Sequence, residues 1–114
     1  MNYKIGLITD CDFDVAYGIL KKHNLANYFD IKIISGVIKT YKPNPLIFKE
    51  ALKRAKCNPN EVIYIGDSEI DIKGAKEIGM ITVIIKRDEK QNQELGIAPD
   101  FIIKNLSELL EVLN

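Results

Sequence analysis

The sequence predicts an α/β domain, a three-layer sandwich in which a five-stranded parallel sheet carries helices on both faces. Three observations lead there: short β-branched runs recur, segments of helical period separate them, and this alternation continues along the whole chain. The runs are continuously apolar, which marks strands covered on both faces, as in a parallel sheet. Strand and helix in alternation supply the crossovers such a sheet needs. At 114 residues the chain reads as one domain, 1–114, long enough to bury a core without disulfides or metal.

The first strand is KIGLIT (4–9). The preceding MNY and the interruptions at Gly6 and Thr9 make this start a strand and not a signal peptide. A helix is expected over 13–24, with Val15, Ile19 and Leu25 on one side, Lys21, Lys22 and Asn24 opposite, and Asp12 placed to cap it. IKIIS (31–35) is the second strand. PLIFKEALKRAK (45–56) opens on a proline where a helix tolerates one and repeats Ile47, Ala51, Leu52 and Ala55 at helical spacing. VIYIG (62–66) is the third strand, and EIDIKGAKEIGM (69–80) the third helix, with Gly79 placed to stop it. ITVIIK (81–86) and FIIK (101–104) complete the sheet. Between them RDEKQNQELGIAP (87–99) is the most polar stretch, a short helix or a loop that Gly96 and Pro99 close, with RDEK a solvated turn. NLSELLEVLN (105–114) is the last helix, capped by Asn105 or Ser107, with Glu108 suited to its positive end. Phe29, Phe48, Phe101 and Cys57 are expected in or near the core, and His23 on a solvated helix surface.

Sixteen basic residues balance sixteen acidic ones, without a basic block, so the charge gives no reason to expect nucleic acid or an anionic membrane as partner. No apolar run approaches the roughly eighteen residues of a membrane span. Cys11 and Cys57 show neither CxxC nor Cys/His ligand spacing, and a reducing cytoplasm suits them. Cys11, without a base nearby, reads as a plain loop cysteine.

Open parallel sheets bind ligands beyond the carboxyl ends of their strands. Here those positions hold Thr9, Asp10, Cys11 and Asp12, then Ser35 and Gly36, then Gly66, Asp67, Ser68 and Glu69. Carboxylates gathered at one edge repel unless a cation joins them, and Mg²⁺ is the natural candidate, taking a few carboxylates with water and phosphate oxygens.

A Lys-Pro before a helix in YKP (41–43), GDxxxD directly after a strand and a GAxxxGM helix, in GDSEIDIKGAKEIGM (66–80), resemble the haloacid dehalogenase superfamily of phosphohydrolases. ILKKHNLANYFDIKIISG (19–36) resembles the helix and strand that precede the family's lysine, so the likeness covers about residues 3–86. The resemblance implies Mg²⁺-dependent hydrolysis of a small phosphorylated metabolite through an aspartyl phosphate. It assigns Lys42 to phosphate and nucleophile, and Asp67 and Asp71 to the metal.

The family's nucleophile motif, DxDx(T/V), is only mimicked by DCDFD, in which Asp10 and Asp12 are offered but Asp14 stands at the last position. About thirty residues separate Thr9 from Lys42, the relation of the family's phosphate-binding Ser or Thr to its lysine. Thr9 then matches that hydroxyl, and the nucleophile strand and cap are expected upstream of Met1. Without that strand the first and third strands are expected to pair, in the flavodoxin-like order 2-1-3-4-5, bringing Asp10 and Asp12 beside Asp67. Asp10 becomes a replacement nucleophile only in that arrangement. The chain is therefore expected to be incomplete or inactive alone. Three alternatives stay open: a phosphate- or metal-binding module, a subunit completed by a partner chain or a second copy that supplies the strand, and a receiver-like phosphoacceptor using Asp10, Asp12, Asp67 and Lys104.

Overall fold

A computed structural model describes residues 3–86 and 96–113. The chain divides into two compact units, Met1–Cys57 and Asn58–Asn114. Both are α/β with parallel strands.

In the first unit β1 (Gly6–Thr9) is followed by α1 (Phe13–Lys22), β2 (Ile31–Ile34), a short α2 (Ser35–Ile38) and α3 (Pro45–Ala55). β1 and β2 pair in parallel, with Thr9 opposite Ile34 at the carboxyl end. Ile33, Ile47 and Phe48 are fully buried, and Ile34, Ala16 and Leu20 nearly so. α3 starts as expected, with Pro45 at its first turn and the Asn44 side chain accepting the Leu46 N–H at 3.0 Å. Near its other end Arg54 donates to the Lys32 carbonyl (3.1 Å), tying the helix to β2.

α1 departs from expectation. Ala16 and Leu20 are its buried residues, while Val15, Ile19 and Leu25 are exposed. Its apolar residues occupy so wide an arc that two stripes compete, and the packing in this unit takes the one with the smaller residue. Asp12 stands at the N-cap without a side-chain cap bond. Its Oδ1 and Cα lie 2.9 Å from where a Cβ on Gly36 would be, so the carboxylate lies against that glycine. α2 was not expected; IKIIS ends as a strand at Ile34, and Ser35 opens the turn of helix.

In the second unit β3 (Ile63–Gly66), α4 (Glu69–Glu77), β4 (Ile81–Ile85), β5 (Phe101–Ile103) and α5 (Leu109–Leu113) follow in order. The strands pair in parallel in the order β3-β4-β5. Val83, Ile85 and Ile103 form the core, with Ile63, Ile65, Leu109 and Val112 packed against it. Gly79 ends α4 at a φ of +93°, a conformation that suits glycine. Asn105 accepts both the Glu108 N–H (3.2 Å) and the Ser107 hydroxyl at the turn leading into α5. Phe101, expected near the core, is 45% exposed, whereas Phe48 is buried and Phe29 half-buried. The polar stretch 87–95, with its RDEK turn, lies outside the described residues.

The largest correction concerns the sheet. The five described strands make two sheets, β1-β2 and β3-β4-β5, not one. The closed order 2-1-3-4-5 needed a β1 to β3 ladder, and among the described residues β3 pairs with β4 alone. The chain has no DxDx(T/V) segment. Among the described residues no helix is long and apolar enough to cross a membrane.

Candidate functional site

The carboxyl end of the β1-β2 sheet gathers most of the first unit's candidate residues. Thr9 ends β1, half-buried, with its hydroxyl oxygen 3.4 Å from the Cys11 sulfur. The loop that follows is held at two places. Asp10 Oδ1 accepts the backbone N–H of Lys42 at 3.1 Å, across a sequence separation of 32 residues. The Cys11 carbonyl accepts the Gly36 N–H (3.0 Å) and, at 3.5 Å, the hydroxyl of the fully buried Ser35.

Gly36 has no room for a side chain here, because a Cβ would meet Cys11 O and two atoms of Asp12 at 2.9 Å. Thus the segment after β1, the corner after β2 and the lysine segment before α3 meet at one edge. Lys42 is half-buried, and Asp10 and Asp12 are exposed. His23 sits at the carboxyl end of α1 and is exposed, as expected. A surface groove between Ile38, Thr40, Leu46, Lys49, Glu50 and Lys53 includes none of the candidate residues.

The second unit brings Asp67 and Asp71 together. Asp71 Oδ2 accepts the Asp67 backbone N–H at 3.2 Å, and Ser68 caps α4 by accepting the Asp71 N–H at 3.3 Å. Ser68, and not Asp67, is therefore the helix cap. An added Cβ on Gly66 would lie 2.6 Å from the Asp71 Cβ, so the strand end must be glycine for the Asp71 side chain to lie against it. Both acidic residues lie beyond the carboxyl end of β3, Asp67 before the cap of α4 and Asp71 in its first turn. Lys104 follows β5, its N–H donated to Glu108 Oε2 at 2.9 Å.

The donor chemistry fits a hard cation such as Mg²⁺, which takes one or two carboxylates from a protein and completes its shell with water or phosphate oxygens. Among the described residues no three His, Cys, Asp or Glu side chains cluster as a fuller metal cage.

One polar constellation was missed in the sequence. Asp100 Oδ2 accepts both the N–H (2.7 Å) and the hydroxyl (3.1 Å) of the fully buried Thr82, and Lys76 approaches Oδ1 at 3.9 Å. The backbone bond from Thr82 is the main reason the Asp100 carboxyl is held below its ordinary range; burial, the next largest effect, opposes it, and the Thr82 hydroxyl and Lys76 add smaller effects in the lowering direction. The signal was Thr82 itself, a polar residue inside ITVII, since a buried hydroxyl needs a partner.

Known proteins resemble the chain over nearly its whole length. The family profile "Haloacid dehalogenase-like hydrolase" matches residues 1–85. The chain is similar to a glyceraldehyde 3-phosphate phosphatase of Methanopyrus kandleri, at 37% identity over 99% of this chain and 50% of that protein. A pyrimidine 5'-nucleotidase, YjjG of Escherichia coli, is 36% identical over 98% of this chain and 50% of its own length. Among solved structures, a HAD phosphatase from Thermococcus onnurineus superposes with a TM-score of 0.88 at 33% identity, over 98% of this chain and 51% of that one. The magnesium-bound HAD-hydrolase YfnB of Bacillus subtilis gives 0.91 at 26% identity, over 99% and 50%. The chain thus spans about half the length of the curated relatives it matches.

Proposed function

Because the chain belongs to the haloacid dehalogenase-like hydrolase family, we propose that it carries the phosphate-binding and Mg²⁺-binding residues of a hydrolase of small phosphate esters. The observation that carries this reading is the strand end at Gly66, where Asp71 lies against a glycine and accepts the Asp67 N–H. That geometry keeps two hard-oxygen donors together on one short turn, which is what a divalent cation with a water and phosphate shell requires.

In this reading Asp67 and Asp71 hold Mg²⁺, and Thr9 and Lys42 hold phosphate oxygens by hydroxyl and ammonium. A Mg²⁺ held by Asp67 and Asp71 would supply positive charge to neutralise phosphate oxygens. Lys42 would supply a compact positive charge to a phosphate oxygen, and Thr9 a hydroxyl donor whose place is fixed by the end of β1. The names of the relatives, phosphatases and a nucleotidase, support a phosphorylated metabolite as ligand. A net charge of zero supports local capture of that anion and no nucleic-acid partner. Cys11 and Cys57, both free thiols, suit the cytoplasm.

The 114 residues contain no DxDx(T/V) segment, so they bind without turnover. A partner chain or a second copy supplying an aspartyl strand would add the hydrolytic step.

Calorimetric titration with Mg²⁺ in the presence of inorganic phosphate tests the reading, run beside a phosphatase assay. The parent chain binds Mg²⁺ and releases no phosphate from esters. Asp67→Asn and Asp71→Asn each weaken Mg²⁺ binding roughly tenfold or more. Equal Mg²⁺ affinity in all three proteins would falsify the assignment.

A further inference from the structure

The Asp10 carboxylate, which the sequence offers as a replacement nucleophile, makes a long-range backbone hydrogen bond. Its Oδ1 receives the Lys42 N–H at 3.1 Å, which ties the lysine segment to the loop leaving Thr9. The same loop is fixed one residue later, where the Cys11 carbonyl receives the Gly36 N–H (3.0 Å) and the Ser35 hydroxyl (3.5 Å). Two consecutive residues, Asp10 and Cys11, are therefore anchored directly after Thr9, and one anchor reaches Lys42.

From this geometry we infer that Asp10 is a positioning residue for phosphate binding: its carboxylate oxygen holds the Lys42 backbone so that the lysine and Thr9 serve the same anion. This rests on the phosphate-site reading for Thr9 and Lys42.

Charge and geometry make opposite predictions, which gives the inference its force. A carboxylate near a phosphate repels it, so a bystander Asp10 would weaken binding, and removing it would tighten binding. A positioning Asp10 behaves in the reverse way. Loss of its acceptor releases the Lys42 segment, and the gain from removing a negative charge is outweighed by the disordered ammonium. The carboxylate need not be charged for this role, since an asparagine Oδ1 accepts the same N–H.

The experiment is a titration of the full chain with inorganic phosphate, followed by the ¹H–¹⁵N resonances, for the parent, Asp10→Asn, Asp10→Ala, Lys42→Ala and Asp14→Asn. Asp14 lies in the exposed first turn of α1 and serves as a charge-matched control. Asp10→Ala is expected to bind phosphate roughly fivefold more weakly, the scale of one net hydrogen bond. Its Lys42 amide proton loses the downfield shift of a bonded N–H. Asp10→Asn restores both the shift and the affinity, and Asp14→Asn leaves both unchanged.

Tighter or equal phosphate binding by Asp10→Ala, in a protein whose other amide resonances keep their positions, overturns the inference. So does an Asp10→Asn variant as weak as Asp10→Ala, which would make the charge itself the active property. Ester hydrolysis by the parent that Asp10→Asn abolishes would make Asp10 a nucleophile and overturn it as well. If parent and Lys42→Ala are alike in showing no phosphate response, the phosphate-site reading fails first, and the positioning role fails with it. Should Asp10→Ala not fold, the Asp10→Asn variant decides: retained affinity and Lys42 shift support positioning, and their loss refutes it.

Discussion

Thr82 and Asp100 show how one residue can decide local stability in a strand that otherwise reads as uniformly apolar. Thr82 is fully buried, and both of its donors end on Asp100 Oδ2. Replacing Asp100 with alanine removes that acceptor from two buried donors, so a loss of about 1–3 kcal/mol is expected in urea denaturation. Asp100→Asn keeps an acceptor but not the charge. The folded carboxyl titrates below its ordinary value of 3.8, chiefly because the Thr82 N–H favours the ionised form. A depressed folded pKa stabilises the protein above the unfolded pKa and ceases to do so as pH falls through the folded one. The Asn variant is therefore less stable than the parent at pH 7, and the gap closes below pH 3.8. A gap that is constant from pH 7 to pH 3 would refute the role of the charge. Legibility at this scale was uneven. Asp67 and Asp71 could be paired through the resemblance of GDxxxD to the family's motif. The role of Gly66 could not, because it depends on a 2.6 Å approach that only the folded turn creates.

At the scale of elements, strands and helices were legible because the apolar runs and the caps are local signals. α3 and its Asn44 cap, and the stop of α4 at Gly79, are cases in which sequence position and backbone agree. α1 shows where local signals end. Phe13, Val15, Tyr17 and Ile19 are all 37% exposed or more, yet Ala16 and Leu20 are each only 5% exposed. Periodicity locates apolar stripes but does not say which stripe meets the sheet when the helix has more than one. The consequence can be measured. Leu20→Ala is expected to cost about 2–5 kcal/mol, the price of a core cavity. Val15→Ala and Ile19→Ala should fall within about 0.5 kcal/mol of the parent, as exposed substitutions usually do. Equal losses at Leu20 and Ile19 in chemical denaturation would place the original stripe, with Val15 and Ile19, back in the core.

For the whole molecule, the interrupted ladder is the feature that a sequence reading could not settle, since strand order depends on which partners are available and not on the composition of any one strand. β4 lies between two strands, and Thr82, Val83, Ile84 and Ile85 are all buried. Among the described residues β1 makes its ladder with β2 only, and its residues run from exposed to half-buried. Amides in a doubly paired, buried strand exchange only through larger openings than those in a singly paired one. Native-state hydrogen exchange should therefore find Val83 and Ile84 protected at least about tenfold more strongly than Leu7 and Ile8. The comparison also tests the proposed completion by another chain. A strand added along β1 would give it a second ladder and bury its amides, so protection of Leu7 and Ile8 would rise with protein concentration if the donor is a second copy, or on adding a partner if it is not. Protection at β1 equal to that at β4 in dilute solution would show that β1 already has a second pairing partner, contrary to the two-sheet arrangement.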